Sequence, residues 1–432
     1  MSKTLLLILI LFFFNNCSSV KDGVSFNKKK TNVQKLKKVR TILSKQVRGE
    51  QEFNQLLEIQ ISEGKFGANT NNNKNDIGEL GYLGLLEKIG KYNYSDFNNF
   101  EYIETKPIFY NDNIIFFDNK GTIILYNQDQ KIIWKKNFYS KSEKKIKPRL
   151  NLAIKNDVLI ITDNIAKYYA IDLNTGKVIW TKKNLFPFNS DIKINDNIFY
   201  AVDYKNTLRA ISIKDGSELW KLKTEDSLTK SNTKLSIVID DKNIYFNNSI
   251  GDITAVSIKS GQLLWQLPTQ NIDIIKNAFQ LSNSKLVIND NSILFSNNMN
   301  EFYSIDAKTG LLNWKNQINS TLRPIVIGRF VITVSKKGYF YLVDKKSGNI
   351  LRINDLYINY DKKERPEVLP TGFIVSMNRI YLTNDDGKLI IAGLDKGNIL
   401  NTIKVAGDKI SQPYVHENHL FLIKNGSIIK YN

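Results

Sequence analysis

Ala170-Ile171-Asp172-Leu173-Asn174-Thr175-Gly176-Lys177-Val178-Ile179-Trp180 carries the pattern that organises the whole chain. A Gly and a Trp stand four residues apart in it, and the pair returns as Gly216/Trp220, Gly261/Trp265 and Gly310/Trp314. Trp134 keeps the same frame with Gln130 in the Gly slot. Two later units keep the Gly and lose the ring, as Gly348/Arg352 and Gly397/Asn401. Successive frames lie 46, 40, 45, 49, 38 and 49 residues apart. A repeat of about 40–50 residues with strands inside each unit marks a β-propeller.

Each unit divides into four short strands. Ahead of Trp180 these are Leu150 to Ile154, Val158 to Thr162, Tyr168 to Leu173 and Lys177 to Trp180, separated by turns that include Asn156-Asp157 and Asn174-Thr175-Gly176. Asn, Asp and Gly supply the positive φ and local hydrogen bonds that tight hairpins need, while Val, Ile, Tyr and Phe suit pleated strands. The Trp is expected to wedge between neighbouring blades, where one indole buries roughly 150–250 Å² and its N–H meets a backbone carbonyl. Units starting near Ile108, Leu150, Ile192, Leu235, Leu286, Pro324 and Phe373 make seven blades. Pro413 to Val415, Leu420 to Ile423 and Ser427 to Tyr431 give three strands of an eighth, whose fourth is expected from within Phe97 to Glu104. Such closure removes an open sheet edge. The expected fold is therefore all-β, an eight-bladed propeller of four-stranded blades.

Composition agrees. The 432 residues are 42% hydrophobic and 11% aromatic, enough for one folded body built by radial repetition. The single Cys excludes a disulfide framework and a Cys-rich metal site. It stands at Cys17, after the apolar run Leu5 to Phe14 and Lys3, so residues 1–16 read as a secretory signal peptide too short to span a bilayer as a mature helix. Residues 17–76 then form a tether and 77–432 the propeller. Lys21 to Arg48 holds ten basic residues and one acidic, a large part of the net charge of +19. Val33, Leu36, Val39, Leu43 and Val47, then Phe53, Leu56, Leu57 and Ile61, recur at helical spacing and predict a basic amphipathic helix. It either lies on anionic headgroups, gaining roughly 1 kcal/mol per Lys or Arg, or serves as a solvated spacer. Nucleic acid is not an expected partner of an exported chain.

The full Ala-x-Asp-x-x-Thr-Gly-x-x-x-Trp pattern of Ala170 to Trp180, with partial copies at Ala210, Ala255 and Ser304, resembles the docking motif of propellers related to the quinoprotein (PQQ) dehydrogenases. With a signal, Cys17, a short tether and a final ring, the chain is similar to the BamB family of outer-membrane assembly lipoproteins. The stretch Gly67 to Asp96 is similar to the segment before the ring in alphaproteobacterial members. That resemblance implies lipid on Cys17, an outer-membrane position facing the periplasm, and binding to the polypeptide-transport-associated (POTRA) domains of the barrel insertase, with unfolded outer-membrane proteins as further partners. The contact stretch of the family has a loose counterpart in Leu322-Arg323.

Catalytic sets are missing from the sequence. A quinoprotein dehydrogenase needs oxygen ligands for calcium, a catalytic Asp and often adjacent cysteines, and no Cys pair exists. His416 and His419, the two histidines, flank a turn at Glu417-Asn418 and read as exposed turn residues without a third metal ligand. No phosphate loop or nucleophile elbow occurs. The expectation is a scaffold with no cofactor and no metal. The alternative is a periplasmic quinone- or sugar-binding propeller that uses its central channel.

Overall fold

Runs of Ile, Val, Phe and Tyr bounded by Asn, Asp and Gly fold as antiparallel strands because each turn supplies the backbone that a tight hairpin demands. Asn156 and Asp157 both take positive φ (48° and 59°), as do Asn111 and Asp112 (44° and 60°) and Glu417 and Asn418 (47° and 59°). This is the twist-matched hairpin geometry. The next turn is held by side chains. Asp118, Asp163 and Asp203 each accept two backbone N–H bonds from the residues two and four positions on, and Asn248 and Asn297 do the same.

The computed structural model describes residues 53–54, 82, 84–93, 106–226, 233–269, 281–376, 378–424 and 426–432. Glu50–Asn432 forms one compact unit. Its strands form eight sheets. Blades 1 to 7 span residues 108–137, 150–183, 193–223, 237–267, 287–316, 325–355 and 370–404, each running from an inner to an outer strand in chain order. The two middle strands of each blade are buried nearly throughout, and the outer strand is mostly exposed. A short helix, Lys141–Lys145, interrupts the path from blade 1 to blade 2. Ser140 and Glu143 cap it reciprocally.

Blade 8 combines both ends of the ring. Tyr414–His416, His419–Lys424 and Ser427–Tyr431 are its first three strands, and Lys88–Asn93 is the fourth, with Tyr92 opposite Ile428 and Asn93 opposite Ser427. The closing strand is thus not Phe97 to Glu104, which lies outside the described residues. Lys88–Asn93 won the place through partners invisible in its own sequence. Tyr82, fully buried, donates its hydroxyl to the Asn432 carbonyl at 2.5 Å and packs edge-on to Tyr381, while Leu86 N–H donates to the same carbonyl at 3.0 Å.

The tether expectation changes at one point. Phe53–Asn54 is extended, not helical, and pairs antiparallel with the outer strand of blade 6, Phe53 opposite Ile353 and Asn54 opposite Arg352. Blade 6 is therefore five-stranded. Cys17 and the basic run Lys21 to Arg48 lie outside the described residues.

Candidate functional site

The seams between blades explain the repeated letters. Trp134, Trp180, Trp265 and Trp314 donate their indole N–H to the carbonyls of Leu173, Ile213, Ala307 and Lys345 in the next blade, at 2.7–2.9 Å. Each acceptor lies three residues before that blade's Gly. Those glycines clear the space for the ring. A Cβ on Gly216 would come within 2.7 Å of the Trp180 ring, and one on Gly310 within 2.7 Å of Trp265. The Gly176 slot likewise faces Trp134, and the Gly261 slot faces Trp220. Gly and Trp of one motif therefore serve different seams. Small residues also oppose the Trp across the ladder: Ala170 faces Trp180, Ala210 faces Trp220, Ala255 faces Trp265 and Ser304 faces Trp314. Asp172 Oδ1 accepts both the N–H and the hydroxyl of Thr175, at 2.8 and 2.6 Å, and these bonds hold its carboxyl below the usual range.

Two seams that look degraded in sequence are rebuilt with other chemistry. Arg352 is fully buried, and its Nη1 donates at 2.6 Å to the carbonyl of Leu394, three residues before Gly397. The space above Gly397, filled by Trp elsewhere, is filled by Asn354. Arg352 thus takes over the Trp hydrogen bond and Asn354 the Trp contact, so the slot is occupied and not vacant. At the closing seam Gly90 stands at the outer-strand bulge where other blades carry Trp. Opposite it Gln130, at a φ of 64°, accepts from Lys91 N–H at 2.8 Å.

Residues from all eight blades line a central cavity of about 1560 Å³. Its charge is supplied one residue at a time from the starts of the inner strands: Lys106, Arg149, Lys234, Lys285 and Arg323, with Asp385, Asp408 and Lys409 on the last two blades. Against it lies Asp191, whose side chain is 7% exposed. Lys234 Nζ sits 2.7 Å and Lys106 Nζ 3.9 Å from its carboxylate, and Lys285 Nζ bonds its other oxygen. Burial would push the Asp191 carboxyl up, but the three ammonium groups hold it well below the usual range. Four blades are tied together by this cluster. Leu322 and Arg323 line the same cavity, Leu322 with 9% exposure and packed into the core between blades 6 and 7. The two residues thus stand at the central cavity, where Leu322 offers little surface.

Asp191, the buried carboxylate against the cavity, is taken up by three lysines. The outer rim is different in character. Ile132, Ile133, Val178, Ile179, Leu219, Leu263, Leu264, Leu312 and Leu400 begin the outer strands and are about half exposed. Sequence patterning registered the strands but not this belt, because alternation predicts faces and not which edges remain uncovered.

The histidines depart from expectation. His416 has a side chain only 10% exposed, stacked on Phe109 at 4.9 Å, and burial lowers its pKa. Asp112, from the first turn of blade 1, and Glu417 lie beside it. His419 is half-buried at the edge of Phe421.

A family model described as outer membrane protein assembly factor BamB matches residues 119–354. Among solved structures the chain is similar to BamB from Moraxella catarrhalis, at 16% identity and a TM-score of 0.64, with 81% of this chain and 100% of that one covered. It is also similar to a europium-containing methanol dehydrogenase at 11% identity and a TM-score of 0.65, covering 83% and 90% of the two chains. The C-terminal WD40 domain of Sif2 aligns at 13% identity and a TM-score of 0.59, over 82% of this chain and 99% of that one. At these identities the structural likenesses establish the eight-bladed fold alone. No curated protein matches the chain in sequence.

Proposed function

Since the chain belongs to the family of the outer-membrane protein assembly factor BamB, we propose that it is a non-catalytic scaffold lipoprotein of the outer-membrane β-barrel assembly machinery. Lipid on Cys17 anchors it to the outer membrane on the periplasmic side, with the basic tether between anchor and ring. Its partners are the POTRA domains of the barrel insertase, and the extended chains of unfolded outer-membrane proteins are its further clients. The observation that carries this reading is the pairing of Phe53–Asn54 with the outer strand of blade 6. An outer edge of this ring accepts an added strand, through main-chain bonds indifferent to sequence. The apolar residues that begin the outer strands offer side-chain contact beside those edges. A scaffold needs no cofactor, and the lysine-neutralised Asp191 agrees with that.

Binding of the full chain, purified in detergent, to the insertase's periplasmic domains is the test. We expect association that weakens with salt and on Arg323→Glu, since reversing a contact charge affects both steering and pairing. Deleting the gene should lower the level of outer-membrane barrel proteins. A ring that does not bind these domains, and instead reduces a dye when given quinone and calcium, overturns the proposal.

A further inference from the structure

Ring closure brings together three groups that are far apart in sequence. Asp112 belongs to the turn after the inner strand of blade 1, and His416 and Glu417 end the inner strand of blade 8 and enter its turn. One ligand atom from each lies within 4.8 Å of the other two. We propose that Asp112, His416 and Glu417 form a binding site for a divalent transition-type cation such as zinc, bridging the seam where the ring closes.

Three observations point there. The first is that His416 Nε2 is fully buried, has no hydrogen-bond partner among the described residues, and lies 3.9 Å from the Glu417 carboxylate, beyond hydrogen-bond reach. A buried polar atom without a bond is unfavourable, and a metal bond would satisfy it. The second is charge. Asp112 and Glu417 bring two carboxyl groups beside the imidazole. Lys430, the nearby cation, supplies one positive charge against the two carboxyl groups. The third is position. Blades joined by Trp have an indole ring packed across the seam, whereas blades 8 and 1 meet through Gly90 and Gln130. A metal held by both turns supplies a second tie at that seam.

One imidazole with two carboxylates suits zinc-like ions better than calcium, which takes oxygen donors alone. Ligands about 2.0–2.2 Å from zinc lie closer together than 4.8 Å, and rotation of the exposed Asp112 and Glu417 side chains makes up the difference. The rings of Phe109 and His416 are stacked, so the imidazole is already oriented.

Titration of zinc chloride into chelator-stripped full-length protein, followed calorimetrically at neutral pH, tests the site. The expected result is one ion per chain, bound more tightly than calcium. His416→Ala should abolish binding. Asp112→Asn and Glu417→Gln, on exposed side chains that leave the core intact, should each weaken it about tenfold or more. His419→Ala should bind as wild type. Hydrogen exchange should slow at both turns, residues 111–112 and 417–418, when zinc is added. Absence of stoichiometric binding, unchanged binding in the Asp112 and Glu417 variants, or loss in the His419 variant would overturn the assignment.

Discussion

Arg352→Ala tests the idea that a seam depends on a donor to one particular carbonyl and not on tryptophan as such. The side chain is fully buried and its guanidinium bonds the Leu394 carbonyl at 2.6 Å. A hydrogen bond from a charged donor is worth roughly 1.5–3 kcal/mol, and losing it strands a buried acceptor. Each buried methylene of the stem adds about 0.8 kcal/mol. Burial also lowers the guanidinium pKa, so removing the charge returns part of this. The net cost comes to about 3–4 kcal/mol, against less than about 0.5 kcal/mol for Asn401→Ala, whose side chain is exposed in the same frame of blade 7. Arg352→Trp alone should recover little, because Asn354 occupies the ring's place over Gly397. Adding Asn354→Ala should recover more. Urea unfolding followed by tryptophan fluorescence reads these differences, since every Trp in the protein sits in an outer-strand docking frame. If Arg352→Ala unfolds within about 0.5 kcal/mol of the parent, the carbonyl bond is not what joins blades 6 and 7.

Other perturbations follow from the same geometry. Asp191→Asn leaves three ammonium groups facing one another and should cost about 3–5 kcal/mol at neutral pH. The folded carboxyl titrates below its unfolded value, so the wild-type advantage is full above an unfolded pKa of about 3.9 and is lost as pH falls below it. Denaturation curves at a series of pH values should show the two proteins converging in acid. Gly310→Ala combines a φ of 73° with a clash on Trp265 and should cost about 2–4 kcal/mol, whereas Gly328→Ala, at a φ of 53° with open space around it, should cost only the backbone share of about 1 kcal/mol. Thermal unfolding of the pair isolates the docking contact. Cys17→Ala should abolish metabolic labelling with palmitate, and retention of both label and membrane fractionation would refute the anchor.

The architecture was legible because Trp180 and its copies mark each blade with a letter that has few other uses. Arg352 was not, since the recurring partner of the slot is a backbone carbonyl, and a sequence displays the donor without its acceptor. The same holds for Lys88–Asn93. Its alternation suits many strands, and only the edge left by Ser427–Tyr431 selects it. Phe53 fitted a helical stripe, but a free strand edge on blade 6 overrode that local preference. The channel cluster escaped notice because Lys106, Asp191, Lys234 and Lys285 come one from each of four blades, with no local motif. Leu322-Arg323 could be placed just before a strand, yet whether that point faces a partner or the channel depends on which end of the blade the strand begins. His416 reads as a turn residue until closure delivers Asp112 from the opposite end of the ring.

Closure also governs the order in which the protein can fold. Tyr82 and Asn432 are bonded across 350 residues, so a chain made N-terminus first cannot finish its last sheet until its final strand has arrived. Blades 1 to 7 are local hairpins that can form as they emerge, whereas blade 8 pays the loop entropy of the entire ring. During that interval the strand at Lys88–Asn93 waits without its partner Ser427–Tyr431. At that stage the ring is an unfinished β-structure with an open edge, and it needs protection from misdirected pairing until the last strand docks.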